Sequence, residues 1–414
     1  MKNFIEEHKI SSLFLIVLLM HIVSVFIIHS INMSSFLSNG IGDYTTYHKS
    51  AVEISNQFRQ ANFSLDRIKE LHPDAYLSHI YPIVIASAYT LLWPNILVGE
   101  LLNAFFCALI SVFAYLIIIE LGKEWKWAFI VGLIIAIYPS LVLNGSLLLK
   151  DALQVCLTMA ALLFAVKIIK NFNIRDFLIF YALLFPLTNL RFYCGYAVML
   201  AFGICWVFFA KNIDVKKRIV YAIIIAILFG FVPMFSIGHG YFGLDGLGYF
   251  LDKDVINNYR HAISFDGGNS GGSGSDLGLE ISFDNPVDFI ISYSTGFIYV
   301  LLAPFMWQLK YTRHFLTLFE MIPWYFMFYF IVKGIIKCIK EKKYSSYVLL
   351  IFAVVFLMAL ALFDSANFGL FMRTRIAAFV ALLCFLPFGV NDKFINKLKI
   401  KGRQLAEKIK WLNI

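Results

Sequence analysis

Runs of about twenty apolar residues, clearest at 11–29, 127–143 and 345–363, leave this chain few folds to choose from. A helix of that length matches the ~30 Å hydrocarbon layer of a bilayer. Only helices and closed barrels satisfy their backbone inside lipid, and uninterrupted apolar runs point to helices. Composition agrees: 60% of the residues are apolar and 15% charged, against about 45–50% and about 25% in soluble domains. Folded in water, such a chain would expose far too much hydrocarbon. The first run is too long, and too poorly followed by a cleavage site, for a removable signal peptide, and it reads as a retained first span. The formal net charge of +9 therefore bears on orientation in a membrane, and no nucleic-acid partner is expected.

Apolar runs and basic clusters together define a topology. Spans are expected near 11–32, 96–121, 127–143, 152–170, 176–190, 193–211, 218–237, 314–335, 345–363 and 375–390. With the N-terminus inside, the cytoplasmic loops receive Lys123/Lys126, Lys167/Lys170/Arg175, Lys211 to Arg218 and Lys333 to Lys343, and the basic tail Lys393 to Lys410 also falls inside. Acidic residues fall mainly outside, the asymmetry expected of cytoplasmic loops rich in Lys and Arg. The frame makes 78–93 and 292–308 interfacial or re-entrant helices on the outer face, because counting either as a span would invert the later clusters. Taken as true spans they would raise the count to eleven or twelve. The fold expected is an all-α polytopic transmembrane bundle of about ten spans with two long outer loops carrying interfacial helices. Three regions follow: a transmembrane module 1–237 that includes outer loop 33–95, a large outer loop 238–313, and the final helices with a basic tail, 314–414. The Gly/Ser stretch 264–276 is expected to be flexible. It contains one calcium-repeat-like segment, and a single copy cannot build a calcium solenoid. The six cysteines lie mostly within apolar segments without metal spacing and read as buried thiols.

Ionisable residues near membrane depth are costly and mark function. Here they gather at the outer ends of the expected spans. Asp43 stands in Gly42-Asp43-Tyr44-Thr45-Thr46-Tyr47-His48, beyond the first span. Lys150 and Asp151 open the fourth, Arg191 lies at the turn between the fifth and sixth, and Arg373 and Arg375 precede the last. Taken singly each has a plain reading: a helix cap for Asp43, a dipole pair for Lys150-Asp151, headgroup snorkelling for the arginines, an interfacial loop for His72 and His79. Together they suit transfer from a lipid phosphate. Guanidinium groups fork onto phosphate oxygens and meet the charge developing on a phosphate leaving group. A neighbouring carboxylate can take the proton of an attacking hydroxyl. Lys150, Arg191, Arg373 and Arg375 are the candidates for phosphate binding. Tyr44, Tyr47 and His48 are candidates for stacking on or positioning a sugar. No metal site or other cofactor is indicated.

Over residues 10–200 this order of features resembles the GT-C class of membrane glycosyltransferases. The features are a first span, an outer loop opening with Gly42-Asp43-Tyr44, the segment His79-Ile80-Tyr81-Pro82, and Asp151 at a helix start after Tyr138-Pro139. Tyr81-Pro82 departs from the Pro-Pro pair of many members, and Lys150-Asp151 from a lone acid. The size, Phe/Ile-rich composition and large outer loops are also similar to O-antigen polymerases. The resemblance implies that Asp43 is the base or acceptor-orienting acid and Asp151 the second-loop acid, with His79 and Tyr81 at the substrate entry. It implies an undecaprenyl-(di)phosphate-linked donor, a glycan or lipid-linked glycan acceptor, and a multi-pass protein of the bacterial inner membrane whose two termini are cytoplasmic. It leaves open polymerisation of repeat units or decoration by single sugars. The rival from another class is a flippase of lipid-linked oligosaccharide, which would carry charges along a path through the bundle.

Overall fold

The computed structural model describes residues 8–31, 43–61, 80–210, 215–231, 252–264, 279–305 and 312–390. Every regular element among them is helical. In chain order these are α1 (Lys9–Ser30), α2 (Asp43–Arg59), α3 (Ile80–Leu91), α4 (Ile96–Glu120), α5 (Trp125–Ala136), α6 (Pro139–Gly145), α7 (Asp151–Lys170), α8 (Ile174–Leu190) and α9 (Phe192–Phe209). There follow α10 (Val215–Phe231), α11 (Lys253–Ser264), α12 (Pro286–Leu302), α13 (Thr312–Lys340), α14 (Tyr347–Phe363), α15 (Phe368–Thr374), α16 (Ile376–Leu383) and α17 (Leu386–Gly389). The Gly/Ser stretch beyond Ser264 lies outside the described residues.

Among the described residues, six helical segments are long and apolar enough to cross a membrane: α1, α4, α7, α9, Leu318–Lys340 of α13, and Tyr344–Phe363 ending in α14. The chain is a helical, multi-pass membrane protein. Its surface agrees. One face of α1, with Leu13, Val17, His21, Val25 and Ile28, is buried, while Leu15, Leu19, Val23 and Phe26 are each about half or more exposed. A stripe of that kind suits contact with lipid tails, which are as apolar as leucine. All six cysteines are buried and free.

Among the described residues, several of the expected spans are broken or short. The run 127–143 is broken between α5 and α6, which meet at 59°. Pro139 opens α6, and a proline disfavours helical geometry in the residue before it. The run 375–390 divides into the short helices α16 and α17, with Pro387 in the first turn of α17. That segment packs tightly against α13: a Cβ added at Gly334 would strike the Phe385 carbonyl, and one at Gly389 the Phe330 carbonyl. Such close approach of backbones is what small residues allow in membrane bundles. Helices α8 and α10 are 17 residues each, and α8 carries Pro186 in its interior. Within 78–93, α3 has 12 residues, about 18 Å and too short to cross hydrocarbon alone. It buries Tyr81, Ile85, Ala86 and Tyr89 in a small core shared with Tyr47, Ala51 and Ile54 of α2.

The bundle has two distinct ends. At one, Lys9 lies 4.9 Å over the Trp125 ring, Lys170 pairs with Glu120 at 3.1 Å, and Lys343 donates to the Leu121 carbonyl. At the other, α2 and α3 join the N-terminus of α7, the α8–α9 turn, the C-terminus of α14 and helix α15. The acids and guanidinium groups gather there.

Candidate functional site

Each polar member of the site stands where a helix begins or ends. Asp43 is the first residue of α2 and Asp151 the first of α7, with Lys150 as its N-cap. A carboxylate at a helix N-terminus faces unpaired N–H groups and the positive end of the dipole. Arg191 is the single residue linking α8 to α9. Arg373 belongs to α15, whose N-cap Asn367 accepts from the Leu370 N–H. The loop leading into Lys150-Asp151 is anchored from below by Asn103 of α4. Its wholly buried Nδ2 donates to the carbonyls of Leu147 (2.6 Å) and Leu149 (3.0 Å), and the Tyr81 hydroxyl donates to its Oδ1 at 3.2 Å.

These positions bring four of the expected residues into one chain of alternating charge. Arg373 Nη2 donates to Asp43 at 2.7 Å, and its Nε lies 3.9 Å from Asp151. Arg191 Nη2 donates to the other Asp151 oxygen at 3.0 Å. Its Nη1 donates to the Tyr193 hydroxyl at 2.5 Å, and that hydroxyl donates to Asp364 at 2.9 Å. The Nε–H groups of Arg191, Arg373 and Arg375 are buried and have no hydrogen-bond acceptor among the described residues. The three acids differ in access: the Asp43 side chain is 42% exposed, that of Asp151 4% and that of Asp364 0%. Burial pushes the Asp43 carboxyl up. The Arg373 charge and hydrogen bond, with Lys150 and Arg191 behind them, outweigh this and hold it below the usual carboxylate range. Burial, aided by the Arg191 charge, brings the Lys150 ammonium down to about 8.

The other expected residues are placed differently. Tyr47 and Tyr81 are wholly buried and meet edge to face at 5.1 Å. They pack α2 on α3 and present no ring surface to a sugar in this state. Tyr44 is half-buried against the cores on either side of it. His48 Nδ1 shares a hydrogen bond with the Tyr89 hydroxyl at 2.9 Å, and burial holds its ring below the ordinary imidazole value. His79 lies outside the described residues.

Arg375 belongs to a second cluster. Its side chain is fully buried; Nη2 is 3.3 Å from Glu320 of α13, and Nη1 donates to the carbonyls of Val300 (3.1 Å) and Ala303 (2.6 Å) at the end of α12. Glu320 also accepts from the Tyr138 hydroxyl at 2.8 Å and from the Ser140 N–H at 3.0 Å, and it meets the Ser140 hydroxyl. The carboxylate takes up an N–H that the break before α6 leaves free. Arg375 thus ties together chain segments that meet at the broken helix, and the structure places it with Glu320, apart from the chain that joins Asp43, Arg373, Asp151 and Arg191.

Asp364, Tyr193 and Glu320 escaped the sequence reading as site members. Asp364 closes the apolar run of α14, and an acid ending a span was the available signal. Tyr193 and Glu320 gave none beyond a polar group in an apolar helix. Among the described residues, no group of three or more His, Cys, Asp or Glu is arranged to hold a metal ion. Compared with known protein families, characterised proteins and solved structures, the chain matches none.

Proposed function

We propose that the protein is a membrane glycosyltransferase. It would move a sugar or oligosaccharide repeat unit from an undecaprenyl-(di)phosphate-linked donor to a glycan hydroxyl, at the outer face of a bacterial inner membrane. One observation carries the reading: Arg191 and Arg373 converge on the buried Asp151 beside the half-exposed carboxylate of Asp43, at the ends of membrane helices. The resemblance of residues 10–200 to the GT-C class points the same way.

In this reading the donor phosphate receives Arg191 and Arg373, with Lys150 adding charge. The acceptor oxygen attacks the anomeric carbon from the opposite face. Its proton passes to Asp43, and the carbon–oxygen bond to phosphate breaks with the electron pair leaving on the phosphate. Preorganised cations stabilise that departing charge more than the ground state and so lower the barrier. The basic clusters at the far end of the bundle would hold that end in the cytoplasm, which puts the site at the outer headgroups. A flippase of lipid-linked oligosaccharide is the competing outcome.

The test is binding of undecaprenyl phosphate to the purified protein in nanodiscs. Arg191→Lys and Arg373→Lys keep the charge and lose the planar fork, and each should weaken binding about ten-fold or more. Wild-type affinity in both variants would remove the basis of the reading. The pH dependence is a second check. Lys150 is charged below about 8, so affinity should fall about five-fold as pH rises from ~7 to ~9. Lys150→Met should bind more weakly at pH 7 and lose that dependence.

A further inference from the structure

We propose that Asp364 is a positioning residue for Arg191, acting through the Tyr193 hydroxyl, an inference that rests on the phosphate-binding reading above. Asp364 is fully buried, so it cannot itself reach a substrate in this state. It accepts from Tyr193 at 2.9 Å and lies 3.8 Å from Arg191 Nη1. A third neighbour, the Tyr259 hydroxyl of α11, stands 3.5 Å from its other oxygen.

The argument follows from the proton inventory. A tyrosine hydroxyl has one proton and can also accept, whereas a guanidinium only donates. Arg191 Nη1 donates to Tyr193, so the tyrosine proton must go elsewhere, and Asp364 receives it. Asp364 thereby turns the lone pair of Tyr193 toward Arg191. The guanidinium is planar, and its two anchors, Asp151 on Nη2 and Tyr193 on Nη1, fix the plane. Fixing the plane also fixes where the third donor, the orphaned Nε–H, points. With Tyr193 disabled, the Asp151 hydrogen bond and the 3.8 Å ion pair to Asp364 hold the charge without fixing the plane; with Asp364 disabled, the Tyr193 hydroxyl loses the acceptor that turns its lone pair toward Arg191. The charge stays in the site while its direction is lost.

Helix α11 extends this arrangement to the second long loop. Arg260, beside Tyr259, donates to the Leu362 carbonyl and to Ser365 Oγ, both at 2.9 Å. It thereby fastens α11 over the end of α14, and the loop that brings Tyr259 down is coupled to the residue that orients Arg191.

The experiment compares Tyr193→Phe, Asp364→Asn and the double variant, reading undecaprenyl phosphate binding in nanodiscs together with donor KM and kcat. Each single variant should weaken binding about ten-fold and raise KM similarly, and should lower kcat as well, because Arg191 also meets the charge developing on the departing phosphate. The double variant should be no worse than either single one, because both break the same relay. A structural role alone would change the folded fraction and leave the affinity of the folded protein intact. Wild-type affinity in Tyr193→Phe overturns the proposal, and so do additive losses or a fall in kcat at unchanged KM. Should Asp364→Asn fail to fold, Tyr193→Phe decides alone, since it keeps the ring and removes only the hydroxyl. Failure of the wild-type protein to bind the probe overturns both this and the transferase reading, whereas wild-type binding with an unaffected Tyr193→Phe overturns only the positioning role.

Discussion

Asp43→Asn should lose glycan product by a factor of order 10² or more while binding undecaprenyl phosphate about five-fold more tightly. The loss follows from chemistry, since asparagine keeps the size and much of the hydrogen bonding of aspartate but cannot take a proton, a role worth ~10²–10⁴ in rate. The gain in affinity follows from geometry. Asp43 is the most accessible of the three acids, and its described polar contact is the 2.7 Å ion pair with Arg373. An arriving phosphate competes with that carboxylate for the same guanidinium, and ion pairs of this exposure are worth about 1 kcal/mol or less. Asp151 and Asp364 are buried and cannot give way as easily. If Asp43→Asn makes normal product and Asp151→Asn does not, the two acids exchange roles. If both variants remain active, the reaction does not run through these carboxylates, and transport of a lipid-linked glycan becomes the better reading.

Removing one partner of the buried Glu320–Arg375 pair should cost about 3–5 kcal/mol of stability, the usual penalty for an uncompensated buried charge. Thermal melting of Arg375→Met in detergent measures this. The loss should spread beyond one contact, because the pair also holds the Val300 and Ala303 carbonyls, the Tyr138 hydroxyl and the Ser140 N–H. Replacing both partners, as Arg375→Met with Glu320→Leu, should recover only the part of the loss that comes from the uncompensated charge, since the carbonyls, hydroxyl and N–H that the pair satisfied stay without these partners. The double variant should also bind undecaprenyl phosphate as the wild type does. Folded double variant without binding would return Arg375 to the phosphate-binding set. A single variant as stable as the wild type would show that the pair does not hold the break between α5 and α6.

Arg373 and Arg375 show where sequence reasoning stops. Both are guanidinium groups just before an apolar run, and in sequence they are equivalent candidates for a phosphate. In the fold they serve different carboxylates, Asp43 for the first and Glu320 for the second. Residues two apart on a helical path point in directions roughly 200° apart, so one headgroup cannot readily engage both. Which of the two faces the substrate depends on the acid each one meets, and Glu320 is 55 residues away along the chain from Arg375. Tyr47 and Tyr81 make the same point for aromatic rings. A tyrosine beside a candidate acid reads as a sugar platform, yet α2 and α3 use these two rings against each other because their pairing requires a core.

The sequence by itself determined that the chain is helical and lives in a bilayer, because twenty apolar residues in a row are a local property that no tertiary contact can change. It also marked Asp43, Lys150, Asp151, Arg191 and Arg373 as the charges to watch, since an ionisable group at the end of an apolar run is visible without a fold. The tertiary structure alone decided the partners: Asp364 and Tyr193 behind Arg191, Glu320 opposite Arg375, and Asn103 beneath the Lys150 loop. It also decided that 127–143 bends at Tyr138-Pro139, with Glu320 receiving the N–H freed there. The reason is physical: hydrophobic thickness is paid out along the chain, whereas a buried charge is satisfied by whichever segment folding brings within 3 Å.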